Sequence, residues 1–142
     1  MANNSESTSN NCPFKKIVIQ IIPVGCMREG WNYGDYWVDE NSTLQIRISE
    51  FENSDDAIYL AVHELLEAWR YAKKHGTDYS AIDLFDLAHR ETEDPGLLKC
   101  APYFEEHAKS EQLERMLCHQ DGRDWEEHYN AEPIGVKHVN TI

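Results

Sequence analysis

The chain has 142 residues, 41% of them hydrophobic, and its 13 basic and 26 acidic side chains give a formal charge of −13. That size suits one domain with a proper core, and the lack of a basic stripe to neutralise phosphates excludes a direct nucleic-acid binder. No apolar run approaches the ~20 residues that cross a bilayer. The N-terminus Met-Ala-Asn-Asn-Ser-Glu also lacks the basic-then-apolar order of a signal peptide, so a cytoplasmic protein without a membrane partner is expected.

Residues 1–13 are rich in Asn and Ser and end at Cys12-Pro13, which predicts a disordered leader before a single domain over 14–142. Lys16 to Val24 is dense in β-branched residues and reads as a strand that Pro23 limits to an edge or to its end. After an aromatic loop over 25–34, Tyr36 to Asp39 forms a second short strand. Thr43 to Ser49 forms a third, with Leu44, Ile46 and Ile48 on one face and Gln45, Arg47 and Ser49 on the other. Strict period two predicts a small antiparallel sheet with one face covered.

Beyond Glu52 the period changes to that of a helix. Asn53 or Ser54 is a plausible N-cap, Asp55 and Asp56 suit the positive end of the helix dipole, and Gly76 can close the helix after His75. Ile58, Ala61, Val62, Leu65, Leu66, Trp69 and Ala72 define its apolar stripe, which His63 and Glu67 border. A second helix is expected over about Tyr79 to Thr92, ended by Glu93-Asp94-Pro95-Gly96, and a third from about Pro102 to His119. Asp124 caps a last short helix, and the tail from Glu132 lies along the surface. The fold class is therefore α+β, a small N-terminal sheet followed by three or four helices.

Two polar features interrupt this pattern. On the first helix, His63 and Glu67 are one turn apart, about 40° around the axis, with Glu64 beside them. On the third, His107, Glu111, Glu114 and Cys118 recur at spacings of four, three and four and so share a face. A His-Glu-x-x-His helix holds zinc through its two histidines, and its glutamate deprotonates the metal-bound water. Here the string is His63-Glu64-Leu65-Leu66-Glu67, so the helix offers one histidine and one carboxylate. His107 can complete a two-His, one-Glu set, with Glu111 or Glu114 as a further ligand or as the group that holds the second nitrogen of His107. The plainer reading is a partly exposed helix edge where His63 and Glu67 make an ordinary (i, i+4) contact.

The segment Val62-His63-Glu64-Leu65-Leu66-Glu67-Ala68 is followed in order by Phe85-Asp86, Asp94-Pro95, Ala101-Pro102-Tyr103 and Glu106-His107. Glu114-Arg115-Met116-Leu117 and Asp124-Trp125-Glu126-Glu127 come next. Together these blocks resemble a group of uncharacterised phage and bacterial proteins that are similar to small zincin-like metallopeptidases. The likeness spans about Leu60 to Tyr129, roughly half the chain. It implies that His63, Glu64, Glu67, His107 and Glu114 form a zinc site, with Asp86 in support and Glu64 activating the metal-bound water to hydrolyse a peptide. It also implies strand addition of an extended substrate on Thr43 to Ser49. Glu67 departs from the histidine of zincin proteases, and a carboxylate there suits Mn or Mg better than imidazole does.

Two alternatives come from other classes. Glu64-Leu65-Leu66-Glu67 and Glu91-Thr92-Glu93-Asp94 match the carboxylate strings of all-α, Mg-dependent nucleotide pyrophosphatases. Trp31, Tyr33, Tyr36 and Trp37 could anchor a partner in a non-catalytic interaction module with a structural metal site, although packing is the better reading of aromatics at a strand. His75, His89, His119, His128 and His138 read as surface residues. Cys12, Cys26, Cys100 and Cys118 form no Cys-x-x-Cys pair and read as reduced, mostly buried thiols.

Overall fold

Leu44, Ile46 and Ile48 alternate along the chain and are all fully buried, which makes their strand the floor of the core. The computed structural model describes residues 11–28 and 31–136. The strands are β1 (Lys16–Ile22), β2 (Gly34–Val38) and β3 (Thr43–Ser49), and the helices are α1 (Ser54–His75), α2 (Ser80–Ala88), α3 (Phe104–Gln120) and α4 (Trp125–Tyr129). One-turn 3-10 segments occupy Val24–Cys26 and Pro95–Leu97. The protein is α+β, with a small sheet followed by helices, as the sequence predicts. Residues 1–10 of the expected leader and His138 lie outside the described residues; Phe14, where the domain was expected to begin, is buried.

The sheet is mixed rather than antiparallel. Its order is β1-β3-β2, with β3 antiparallel to β2 but parallel to β1, because the chain passes through β2 before returning alongside β1. In this register Ile17, Ile19 and Ile21 pair with Leu44, Ile46 and Ile48, so they share the core face. They are nevertheless exposed, since α1 packs over β3 and β2 and leaves β1 uncovered. Gly34 and Tyr36 also lie on the core face, opposite Ile48 and Ile46, and this aims them at α1.

α1 begins where expected: the Asn53 side chain accepts a hydrogen bond from the Asp55 backbone N–H, and Gly76 closes the helix at φ 89°. Its buried face is rotated from the predicted stripe. Ile58 is half exposed, and Val62 and Leu66 are only partly buried. Ala57, Ala61, Ala68, Tyr71 and Ala72 are buried together with His63 and Glu67. The reason is that α1 is covered from two directions, by the sheet and by α3, so its polar positions fall between the layers. α2 stops at Ala88, short of the predicted Thr92: the His89 ring stacks on Phe85 with centroids 4.0 Å apart, and its Nδ1 donates to the Phe85 carbonyl. α3 starts at Phe104, because Pro102 belongs to the turn before it.

Cys118 is the buried thiol that was expected, whereas Cys12, Cys26 and Cys100 are exposed and free. The aromatic loop is largely packing: the Arg28 guanidinium lies 5.2 Å from the ring centre of Trp31 and 4.7 Å from that of Trp37, and it forms an ion pair with Asp35. Past Glu132 the tail is anchored, with Pro133 buried and the Ile134 N–H bonded to the Glu50 carbonyl.

Candidate metal centre

Three side chains from two helices converge between α1 and α3. One turn of α1 separates His63 from Glu67, and α3 delivers His107 from the opposite side. His63 Nε2 stands 3.1 Å from Glu67 Oε2 and 3.2 Å from His107 Nδ1, and the third side of the triangle, His107 Nδ1 to Glu67 Oε2, is 2.8 Å. All three residues are buried. Donor atoms bound to one zinc at ~2.0–2.1 Å in a tetrahedral array lie about 3.4 Å apart, so this triangle needs little opening to receive an ion. Two nitrogens and one oxygen also form a chemically suitable set. The residues present fit a divalent metal.

A carboxylate stands behind each histidine. His63 Nδ1 donates to Glu114 Oε1 at 2.7 Å, and His107 Nε2 lies 3.3 Å from Asp94 Oδ1. Both carboxylates are held in turn: Glu114 Oε2 accepts from His128 Nε2, and Asp94 Oδ2 accepts from Tyr129 Oη at 2.9 Å. The first chain continues inward, with His128 Nδ1 bonded to Asp56 Oδ1 at 2.7 Å and Asp56 also paired with Arg123 at 2.9 Å. A carboxylate on the far nitrogen of a liganding imidazole fixes its tautomer and raises its basicity. Glu114 therefore supports His63 and does not join the donor triangle, unlike the expected ligand set. Ser110 Oγ donates to the His63 carbonyl and ties α3 to the same turn of α1.

The electrostatics follow from burial among opposite charges. Desolvation disfavours the His63 imidazolium, but the Glu114 and Glu67 carboxylates outweigh it and raise its pKa well above the ordinary value. His107 behaves alike: desolvation is overcome by Asp94 and Glu67, and its pKa rises to about 10. Glu67 also resists desolvation and is pulled down by His107 and His63. Its other oxygen accepts from Tyr36 Oη at 2.7 Å, which leaves Oε2 for the triangle. Glu64 is pushed the other way, upward, by burial and by the Glu67 charge.

Glu64 sits against β2. A Cβ built on Gly34 would stand 2.5 Å from Glu64 Oε2, so any larger residue there would displace this carboxylate. The same holds for Gly96 and His107, in whose ring a Cβ would meet Cγ at 2.6 Å. Asp86, expected in support, accepts from Tyr103 Oη at 2.6 Å and has its pKa raised by burial to about 6; it stands apart from the donor triangle. Glu111 pairs with Arg115 and comes near His107 and Asp94.

The cluster opens into a cleft of about 570 Å³. Arg90 is the single Lys or Arg among the described residues on its wall, against carboxylates of Asp35, Asp83, Asp86 and Glu93 besides those of the cluster. β2 borders the cleft and is an edge strand, whereas β3, where strand addition was expected, is the central strand and has both edges paired. The Glu91 string of the pyrophosphatase reading lies outside α2; Glu91 is exposed and does not line the cleft, and a three-stranded sheet is at odds with an all-α fold.

Sequence reasoning missed several of these residues. His128 reads as a surface histidine but is 6% exposed, and Tyr36 reads as packing but bonds Glu67. Gly96 reads only as a turn residue, and Asp94 reads as a turn residue and as the end of the pyrophosphatase string, not as the partner of His107. No periodicity marks them, because they reach the site from β2, from α4 and from the Pro95–Leu97 turn. Compared with known proteins, the chain matches no protein family, no curated protein and no solved structure.

Proposed function

We propose that this protein is a metal-dependent hydrolase of the zincin-like type, acting on a peptide or related amide. The observation that carries the reading is the triangle of His63 Nε2, Glu67 Oε2 and His107 Nδ1, with Glu64 next to it on the same helix. His63, Glu67 and His107 would hold the ion, with zinc the first candidate and manganese favoured by the carboxylate. When bound, such an ion acts as a Lewis acid toward water and toward the amide carbonyl.

The chain's own groups account for the rest. Glu64, desolvated and seated against β2 at Gly34, takes a proton from the attacking water and returns it to the departing nitrogen. The Glu114 hydrogen bond keeps the His63 imidazole oriented with its opposite nitrogen free, and Asp94 stands behind His107 as a charged neighbour. The free edge of β2 offers backbone groups to an extended substrate along the cleft, and the acidic walls disfavour an anionic one.

Metal analysis of purified protein before and after zinc incubation tests this directly. About one equivalent is expected, and less than a tenth of an equivalent in both samples defeats the reading. In loaded protein, Glu64→Gln is expected to keep the metal and to abolish cleavage in a mixture of unstructured peptides followed by mass spectrometry. Unchanged cleavage by Glu64→Gln would favour the interaction module with a structural metal instead.

A further inference from the structure

His107 is 9% exposed, and only one of its two ring nitrogens belongs to the triangle. The other, Nε2, is sealed from solvent and makes no hydrogen bond. Asp94 Oδ1 approaches it to 3.3 Å outside hydrogen-bond geometry. Such a group costs free energy unless something fills its lone pair or takes its proton. Glu111 lies one helical turn along α3, and one ligand atom each from Asp94, His107 and Glu111 falls within 4.8 Å of the others.

We propose that Asp94, His107 Nε2 and Glu111 form a second cation position, on the opposite side of the His107 ring from His63 and Glu67. It is independent of the hydrolase reading. Two carboxylates and one imidazole make it the harder of the two donor sets, so Mn²⁺ gains on Zn²⁺ there relative to the triangle. Asp94 and Glu111 are partly exposed and face the cleft, which gives an ion access; Tyr129 Oη and Arg115 already orient their outer oxygens.

The shared ring couples the two positions. A neutral imidazole has one lone pair and one N–H. An ion on Nε2 leaves the proton on Nδ1, where it is donated to Glu67 Oε2 at 2.8 Å, and the triangle loses a nitrogen and an oxygen together. An ion in the triangle leaves the proton on Nε2, facing Asp94. One ion at a time is bound, and the proton of His107 records which position holds it.

Mn²⁺ titration followed by electron paramagnetic resonance tests this in the full chain. With His63→Ala and Glu67→Gln removing the triangle, one equivalent of Mn²⁺ is expected to remain bound. Adding Asp94→Asn and Glu111→Gln should weaken that binding tenfold or more. A folded triangle variant that binds less than a tenth of an equivalent overturns the proposal, as does binding indifferent to Asp94→Asn and Glu111→Gln. If the triangle variant does not fold, the two outer substitutions in the otherwise intact chain are expected to lower Mn²⁺ affinity at least threefold more than Zn²⁺ affinity. An unchanged ratio overturns the proposal.

Discussion

Gly96 lies against the ring of His107 so closely that a Cβ at this position would stand 2.6 Å from Cγ and 2.7 Å from Nδ1. The ring cannot retreat, because Glu67 and His63 hold Nδ1 on one side and Tyr103 packs edge-on against it on another. Gly96→Ala is therefore expected to cost roughly 1–3 kcal/mol of stability by overpacking. It should also lower zinc affinity about tenfold or more by turning an imidazole ligand, an effect of the size seen when the partners of metal ligands are disturbed. Thermal melts and calorimetry read the two effects, and a variant with wild-type zinc affinity would show that His107 is not a ligand.

Gly34 makes the complementary case, because its nearest neighbour is the proposed base and not a ligand. A Cβ there meets Glu64 Oε2 at 2.5 Å. Gly34→Ala is expected to leave zinc content near one equivalent while lowering turnover about 100-fold, the scale on which misplaced general bases fail. Loss of metal together with activity would place Glu64 among the ligands.

His128 provides both nitrogens to carboxylates at a buried position, Nε2 to Glu114 and Nδ1 to Asp56. His128→Ala leaves two acidic groups with one partner fewer, and a destabilisation of roughly 3–5 kcal/mol is expected from breaking such buried pairs. Glu114→Gln is milder in its effect on the fold and is expected to weaken zinc binding 10–100-fold through His63. Denaturant melts of the metal-free protein and zinc titration separate the two variants.

The metal-free protein should lose stability as the solution becomes alkaline. The pKa of His63, His107 and His128 is raised in the fold: desolvation opposes their charge, and neighbouring carboxylates outweigh it. A raised pKa means that the folded state binds more protons. The stabilisation is fully present below the unfolded value of about 6.5 and is lost as pH rises, for His107 through about 10. With chelator present, melting at pH 9 is thus expected below melting at pH 6. Zinc should narrow or reverse the difference, because metal binding requires the imidazoles to give up those protons. Identical melting curves at both pH values would contradict these ion pairs.

The elements that carry their own period are the ones read most closely from the sequence. β3 has the bounds predicted for it, and α1 begins at Asn53, one of the two caps predicted, since alternation and capping are local properties. His63, Glu64, Glu67 and His107 could be picked out because polar groups interrupt helical apolar patterns, and the fold does bring His63, Glu67 and His107 together. The direction of β1 could not be read, because strand pairing depends on the path of the connecting chain, not on side-chain alternation. The same holds for the burial of His128 and for the two glycines. Their roles exist only once α4, β2 and the Pro95–Leu97 turn have been brought against α1 and α3.

The hydrogen-bonded chain from His63 through Glu114 and His128 to Asp56 runs through distant parts of the sequence, with separations of 51, 14 and 72 residues along its links. During synthesis His63 and Glu67 leave the ribosome long before the groups that orient His63. Until α4 has been made and has folded back beside the start of α1, Glu114, which orients His63, and Asp56 both lack their shared imidazole partner His128. Loop closure over such spans comes late in folding. A fragment ending before Asp124 would contain every donor of the triangle and leave the carboxylates behind them, Glu114 and Asp94, without His128 and Tyr129, so the smallest helix of the protein braces the site from behind.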